Sequence, residues 1–167
     1  MMLLSLPMIS NANARARSEL CQQNLIEMGQ AVTHYARDTN YMPTIYNQAD
    51  DREGMSLPEF INPRVHTPNV LFCPSDETEA SQDIGTSYRW GTVFNNQRPA
   101  GIGELVGQEM LADRDTYHAN SGCLSNKFVV TENNKGYHLS LVAGDPRYEA
   151  NHAIPIVYLT PKRNKQD

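Results

Sequence analysis

The N-terminal part of the chain carries apolar residues at the spacing of an α-helix. From about Asn11 to Asp38 they recur at steps of four, three, four and three, at Cys21, Leu25, Met28, Val32 and Tyr35. This spacing places them on one face of a helix whose other positions are largely polar. Asn40 and Pro43 predict the end of the helix, because proline cannot continue it and restricts the residue before it. We therefore expect a long N-terminal helix with one apolar face.

The chain opens with an apolar run from Met1 to Ile9 that contains one serine. Such a run is too short to cross a bilayer, which needs about 20 residues. It is typical of the end of a longer apolar helix, or of a short signal peptide that ends near Ala12 or Ala14. Arg15 and Arg17 follow it. These two cations would suit anionic lipid headgroups beyond an apolar helix, or form an ordinary solvated helix surface.

The segment 44–69 shows no sustained periodicity and contains Pro58, Pro63 and Pro68. It predicts a loop with one short helical turn at about Leu57 to Ile61. A loop of this length within a compact domain is often functional or part of an interface.

From residue 70 onward the pattern is that of β-structure. An apolar run at 70–73 stops at Pro74, and strands are predicted at 87–94, 105–112, 127–131, 137–143 and 153–160. The segments 127–131 and 137–143 predict a hairpin, and Pro155 places the last strand at a sheet edge. A long helix followed by strands predicts an α+β fold, with the helix packed on a small antiparallel sheet. We expect one domain in total, in which 1–43 is the apolar start and helix and 44–167 is the β-rich head.

Composition limits the class of protein further. Hydrophobic residues make up 40% of the chain and charged residues 20%, which indicates neither disorder nor a protein with many membrane spans. The formal net charge is −5, and the acidic balance argues against a nucleic-acid partner.

Candidate catalytic chemistry is limited to one polar cluster. None of the five histidines belongs to an HxxxH or HExxH motif. Asp113, Asp115 and His118 lie close together in the sequence and could bind a metal or act as acid and base. The alternative is a turn after a strand, which aspartate favours.

The three cysteines, Cys21, Cys73 and Cys123, allow at most one intramolecular disulfide. If the domain lies outside the cytoplasm, we expect the pair Cys73–Cys123. The alternative is three unpaired thiols, because sequence does not show which cysteines are neighbours.

A resemblance to a known family covers most of the chain. Its first block is an Arg- and Ala-rich junction followed by a helix that carries Cys, Asn-Leu, Gly and Tyr-Ala in that order. The matching residues are Ala14, Arg15, Ala16, Arg17, Cys21, Asn24, Leu25, Gly29, Ala31, Tyr35, Ala36, Asp38, Asn40 and Pro43. Later matches are the run 71–76, the pair Ser87-Tyr88, and Ala112-Asp113-Arg114 followed by His118. In these residues the chain resembles type IV pilin-like proteins, including the major pseudopilins of type II secretion, of the prepilin type common in Planctomycetes and their relatives.

The resemblance implies a structural subunit and no enzymatic activity. It implies that the N-terminal helix, with its face at Cys21, Leu25, Met28, Val32 and Tyr35, assembles with other copies or other pilin-like subunits into a filament. The partners would include secretion or pilus assembly machinery, at the bacterial inner membrane and periplasm or in a cell-surface filament. The family's leader, cleavage-site glycine and following glutamate do not occur in this sequence, so we expect the chain to be N-terminally incomplete.

The resemblance also implies a cofactor. Major pseudopilins typically bind calcium in a loop near the C-terminal end of the head, and the candidate oxygen donors here are Asp145 and Glu149 with Asp113 or Asp115. Arg147, between the two carboxylates, argues against a dense anionic site. No other cofactor is expected.

Two other functions remain open from the sequence. The protein could be a secreted or envelope-anchored domain that binds a ligand through the segment 44–69. It could also be a metal-dependent enzyme that uses Asp113, Asp115 and His118.

Overall fold

A long helix lies across one face of an antiparallel sheet. The computed structural model describes residues 6–47, 54–114, 126–133, 136–143 and 153–158, and the side chains of 12–47 and 153–156 within the first and last of these. Helix α1 spans Leu6–Thr39 (34 residues), and the short helices α2 and α3 span Leu57–Ile61 and Glu79–Ile84. The strands are β1 (Ile45–Tyr46), β2 (Met55–Ser56), β3 (Tyr88–Trp90), β4 (Glu109–Asp113), β5 (Lys127–Asn133), β6 (Gly136–Val142) and β7 (Ala153–Tyr158).

The main sheet is a five-stranded antiparallel meander in the order β3-β4-β5-β6-β7. Strands β5 and β6 pair along their full lengths, from Lys127 opposite Val142 to Asn133 opposite Gly136. The predicted hairpin is therefore confirmed, with strands that reach closer to the turn than the sequence indicated. Strand β7 is an edge strand and contains Pro155, as predicted, because proline lacks the N–H that a central strand needs. The α+β fold with an antiparallel sheet is confirmed.

The apolar face of α1 is buried against this sheet. Cys21, Leu25, Met28 and Val32 are fully buried, and Tyr35 is half-buried with its ring edge-on to Phe60 of α2, at 5.3 Å between centroids. The same hydrophobic core includes Tyr88 and Trp90 of β3, Phe128 and Val130 of β5, Leu139 of β6 and Ile154 of β7. The predicted helical stripe is therefore the face that holds the helix on its own head.

Gly29 lets the helix lie close to the sheet. A Cβ at this position would be 3.1 Å from Ile154 Cδ1 and 3.1 Å from Phe128 Cε2. These distances are tighter than ordinary van der Waals contact, so even a Cβ at position 29 requires the Ile154 and Phe128 side chains to shift by a few tenths of an ångström. A glycine in a helix costs about 1 kcal/mol relative to alanine, and here close packing offsets that cost.

The strands before β5 are shorter than predicted. Strand β3 stops at Trp90, and the chain turns through a 3₁₀ segment at Thr92–Phe94. Strand β4 begins at Glu109, because 99–105 forms a second 3₁₀ segment and Gly107 has a left-handed φ of 87°. The apolar run 70–73 forms turns, although Val70, Leu71 and Cys73 are buried. Helix α3 was not predicted.

The described part of the segment 44–69 is more ordered than a simple loop. The predicted helical turn at Leu57–Ile61 is confirmed as α2. The Ser56 hydroxyl accepts from the Glu59 N–H and the Glu59 carboxylate accepts from the Ser56 N–H, which forms a capping box. The Ser56 hydroxyl also donates to the Glu59 carboxylate at 2.9 Å. The hydrogen bond from the Ser56 backbone N–H, followed by the one from its hydroxyl, lowers the pKa of Glu59. Strands β1 and β2 pair in parallel just before this helix.

Replacing Gly29 by leucine tests the close approach. We expect Gly29→Leu to lower the free energy of unfolding by about 1–3 kcal/mol, since an overpacked core must shift its neighbours. The control is Gly101→Ala, because a Cβ at Gly101 meets nothing within 4 Å. Urea unfolding followed by tryptophan fluorescence measures both. Equal stability of Gly29→Leu and the parent protein would contradict the packing described.

Candidate functional site

A disulfide ties α1 to the turns that precede β3. Cys21 and Cys73 are bonded, with Cα atoms 4.9 Å apart, and both are buried. The predicted pair Cys73–Cys123 is therefore wrong, because Cys73 already has a partner. Cys21 lies on the sheet-facing side of the helix, and the turns at 70–76 cross the helix at that point. This proximity arises from tertiary packing between residues 52 positions apart, so cysteine spacing could not predict it.

A buried asparagine forms a second tie beside the disulfide. The Asn24 side-chain amide donates to the Phe72 carbonyl at 3.0 Å and to the Tyr88 hydroxyl at 3.1 Å. The Tyr88 hydroxyl in turn donates to the Cys21 carbonyl at 3.5 Å. One amide thus joins the helix to a turn and to the first strand of the sheet. Asn24 and Tyr88 are both buried, so the loss of either side chain removes a hydrogen bond at a position that is shielded from water.

The turns and β3 are joined to each other around these ties. The Cys73 N–H donates to the Ser87 hydroxyl at 3.0 Å, and the Ser87 N–H donates to the Leu71 carbonyl at 2.8 Å. On the other side, the Arg114 N–H donates to the Ser87 carbonyl at 2.8 Å, and its guanidinium donates to the Tyr88 carbonyl at 3.1 Å. We name this group the clasp, formed by Cys21, Asn24, 71–73, 86–88 and 113–114.

Asp76 closes the turn that follows Cys73. Its carboxylate accepts from the Thr78 N–H at 3.0 Å and from the Thr78 hydroxyl at 2.6 Å. Partial burial opposes ionisation of this group, but hydrogen bonds from Ser81, Ser87 and Thr78 outweigh it and hold the pKa of Asp76 below its ordinary value. A charged Asp76 is therefore part of the turn that presents Cys73.

The clasp brings together residues from every block of the family resemblance. Cys21 and Asn24 come from the first block, Leu71, Phe72 and Cys73 from the second, and Ser87, Tyr88, Asp113 and Arg114 from the later ones. Asn24 could have been found from the helical pattern alone, because it is a polar residue on the buried face. Its two partners could not, since they are 48 and 64 residues away.

Asp113 ends β4 inside the protein. Its carboxylate accepts from the Asn126 N–H at 2.7 Å, and Asp113 is almost fully buried. The Gln22 side chain of α1 donates to the Asn126 side chain at 3.4 Å. Asp113 thus joins the end of β4 to the residue before β5, at a point that α1 also contacts.

Other predicted site residues lie outside the described part of the chain. These are Asp115, His118, Cys123, Asp145 and Glu149, so the calcium site and the acid–base cluster stay predictions. Within the described residues, no group of three His, Cys, Asp or Glu side chains could hold a metal ion.

The residues before Ser18 form a part of α1 that extends beyond the core of the head. Side chains 12–17 are all exposed, whereas Ser18 is buried and Cys21 begins the core contact. We name residues 6–17 the stem; at 1.5 Å per residue it is about 18 Å long. Arg15 pairs with Glu19 at 2.8 Å and Arg17 pairs with Glu77 at 3.4 Å, both in exposed positions. Among the residues that the structure describes, no helix combines the length and the hydropathy needed to cross a bilayer.

A cavity of about 320 Å³ lies beside the segment 44–69. Its walls come from that segment, from helix α3 and from the clasp: Tyr46, Asn47, Ser56, Leu57, Pro58, Asp83, Ile84, Thr86 and Arg114. The size is at the lower end of the range for small-molecule sites. The Asn47 amide is already used, since it both donates to and accepts from the backbone of Trp90.

Comparison with protein-family models, with curated proteins and with solved structures gave no match.

A non-reducing tryptic digest tests the disulfide directly. Cleavage after Arg17, Arg37, Arg64 and Arg89 places Cys21 in peptide 18–37 and Cys73 in peptide 65–89, whereas Cys123 falls in 115–127. We expect mass spectrometry to find 18–37 joined to 65–89, and to find the two peptides separate after reduction. A species that joins 65–89 to 115–127 would restore the pairing predicted from the sequence.

A double-mutant cycle tests the second tie. We expect Asn24→Ala to lower the free energy of unfolding by about 1–3 kcal/mol, because it leaves the Phe72 carbonyl and the Tyr88 hydroxyl without their donor. Tyr88→Phe should cost less, and the double variant should cost less than the sum, since the two groups share a hydrogen bond. Urea unfolding of the four proteins measures the coupling. Strict additivity would mean that the bond contributes nothing.

Proposed function

We propose that this protein is a pilin-like structural subunit with no enzymatic activity. It assembles through its N-terminal helix with other copies or with other pilin-like subunits, in a type II secretion pseudopilus or a type IV pilus-like filament. The sequence analysis led to the same expectation, with one difference. The contacts between subunits are now assigned to the stem and no longer to the helix face from Cys21 to Tyr35.

The observation that carries the proposal is the division of α1 into two parts. From Ser18 to Thr39 the helix is bound to its own head by the buried stripe and the clasp. From Leu6 to Arg17 the same helix continues beyond the core, with every described side chain exposed. A contact between subunits through Cys21, Leu25, Met28, Val32 or Tyr35 would require the helix to leave the head. We therefore assign the assembly contacts to the stem.

The clasp supports the proposal mechanically. A filament subunit must transmit force between its inner helix and its outer head. A covalent bond and three hydrogen bonds join the two at the point where the helix enters the head. Repetition of one stem contact from subunit to subunit would give an open helical array.

The disulfide also supports the proposed location. Disulfides form and persist in the periplasm and outside the cell, and they are rare in the reducing cytosol. A buried Cys21–Cys73 bond thus agrees with a head that folds on the outer side of the inner membrane.

Breaking the stem without touching the head tests the proposal. We expect Ala14→Pro to abolish self-association, because proline removes a hydrogen bond and clashes with the preceding turn. The matched control is Ala14→Gln, which keeps the helix. Sedimentation velocity and negative-stain electron microscopy measure assembly, and thermal unfolding checks that the head of both variants keeps its stability.

A second candidate function has a specific observation in its favour. The cavity beside the segment 44–69 fits a secreted or envelope-anchored domain that binds a small ligand. Such a domain would remain monomeric at all concentrations, and Ala14→Pro would change nothing. That result would contradict the filament proposal and favour the ligand-binding one.

A further inference from the structure

A polar groove of about 670 Å³ lies between α1 and the segment 64–68, which follows α2. Its polar lining comes from both walls and includes Glu27, Gln30, His34, Arg64, His66 and Thr67. These side chains all belong to the described part of the chain. The groove shares no lining residue with the cavity beside Asn47, so it is a separate feature of the head.

Arg64 is fixed in one wall of the groove without an acidic partner. Its Nη1 group donates to the Phe60 carbonyl at 2.6 Å, and its guanidinium carbon lies 4.2 Å from the centre of the Phe60 ring and 5.2 Å from that of the Tyr35 ring. Among the residues that the structure describes, no carboxylate forms an ion pair with this guanidinium. A guanidinium that stacks on aromatic rings is already ordered, so it loses little freedom when its remaining N–H groups bind an oxyanion.

The side chains around Arg64 can both donate and accept hydrogen bonds. Gln30 and Thr67 each carry donors and acceptors, and the neutral imidazole of His34 or His66 carries one of each. All four side chains are exposed, and within the described ranges none of them has a hydrogen-bond partner. They are therefore available to a ligand in the groove.

The groove suits a hydroxylated ligand better than an apolar or a purely anionic one. The apolar residues in its described lining are Ala31, Val65 and Pro68, and Ala31 is buried. Glu27 in the helix wall would repel a second anionic group, but its carboxylate can accept hydrogen bonds from hydroxyl groups. A ligand with several hydroxyl groups and a single oxyanion complements both walls.

We propose that this groove binds an acidic sugar, that is, a hydroxylated ring that carries one carboxylate or one phosphate group. Arg64 holds the oxyanion through the N–H groups that the Phe60 carbonyl does not use. The amide, imidazole and hydroxyl groups of the lining, together with Glu27, bind the hydroxyl groups of the ring. The inference goes beyond the proposed function, since it uses neither the stem nor the cavity of the second candidate function.

Saturation-transfer difference NMR of the full chain tests the groove, because it detects the ligand and works whether or not the protein assembles. The probes are glucuronate, glucose 6-phosphate and glucose. We expect at least one of the two acidic sugars to bind, and its identity shows which oxyanion the groove takes. Glucose should bind roughly tenfold more weakly, because it lacks the charge-assisted hydrogen bonds to Arg64.

Two results with the parent protein would overturn the proposal. One is that neither acidic sugar binds, or that glucose binds as tightly as both of them, since Arg64 would then contribute nothing. The other is that acetate or inorganic phosphate binds as tightly as the matching acidic sugar, since the ring hydroxyl groups would then be irrelevant.

Removal of the guanidinium tests which residue holds the oxyanion. We expect Arg64→Gln to weaken binding of the acidic sugar roughly tenfold and to leave the weak binding of glucose unchanged. The matched control is Arg37→Gln, which removes an exposed cation from the last turn of α1, outside the groove, and should bind as the parent does. Equal losses in both variants would contradict the proposal, because net charge alone would then govern binding.

Arg64 also bonds to the Phe60 carbonyl, so two further variants keep the test independent of its structural role. Gln30→Ala and Thr67→Ala remove exposed side chains that have no hydrogen-bond partner in the described part of the chain. Each should weaken binding of the acidic sugar about two- to fivefold, as expected for one neutral hydrogen bond, with thermal unfolding unchanged. Unchanged affinity in both would place the ligand elsewhere.

The outcome is separable from that of the proposed function. Ala14→Pro breaks the stem, which lies outside the groove, so we expect this variant to bind the acidic sugar as the parent does. Loss of sugar binding in Ala14→Pro would overturn the groove as the site, because binding would then depend on the stem. Assembly that fails while sugar binding persists would remove the filament proposal and leave the groove.

Discussion

The position of α1 against the sheet depends on a close contact at Gly29 and a covalent tie at Cys21. The glycine lets the helix approach Phe128 and Ile154 to within contact distance, and the disulfide holds the helix to the turns before β3. Between them lie Leu25 and Met28, fully buried. Burial of such a stripe supplies the main driving force, at about 1.5–3 kcal/mol for each large side chain.

One helix thus has two environments along its length. From Ser18 onward its apolar face is buried and its polar face is in water. Side chains 12–17 are exposed, and Arg17 among them pairs with Glu77 of the head. An exposed helical segment with small side chains gains little stability from its own backbone hydrogen bonds. We therefore expect contact with a partner to stabilise the stem. The proposed filament contact would provide such a partner. The clasp lies at the boundary, where load on the stem would pass into the head.

Local signals in the sequence predicted the regular elements well. The steps of four and three gave the helix, the alternating segments around Glu132–Gly136 gave the hairpin, and Pro155 gave the edge strand. Prediction failed where neighbours in space decide the outcome. Phe94 was assigned to a strand but lies in a 3₁₀ turn after Gly91, whose backbone packs against the Glu109 carbonyl. Helix α3 has no apolar periodicity that would have predicted it. It ends at Gly85, which has a left-handed backbone conformation and donates its N–H to the carbonyls of Ser81 and Gln82.

By itself the sequence determined the α+β order, the apolar face of the helix and the cationic start before an acidic remainder, since these depend on residue spacing and on charge along the chain. Only the tertiary structure decided which cysteines pair, what Asn24 is bonded to and which part of α1 remains uncovered. The physical reason is that burial and hydrogen bonding between residues 48 to 64 positions apart depend on how helix, turns and sheet pack in three dimensions. The number of residues between two positions in the chain does not show how close they lie in the folded protein.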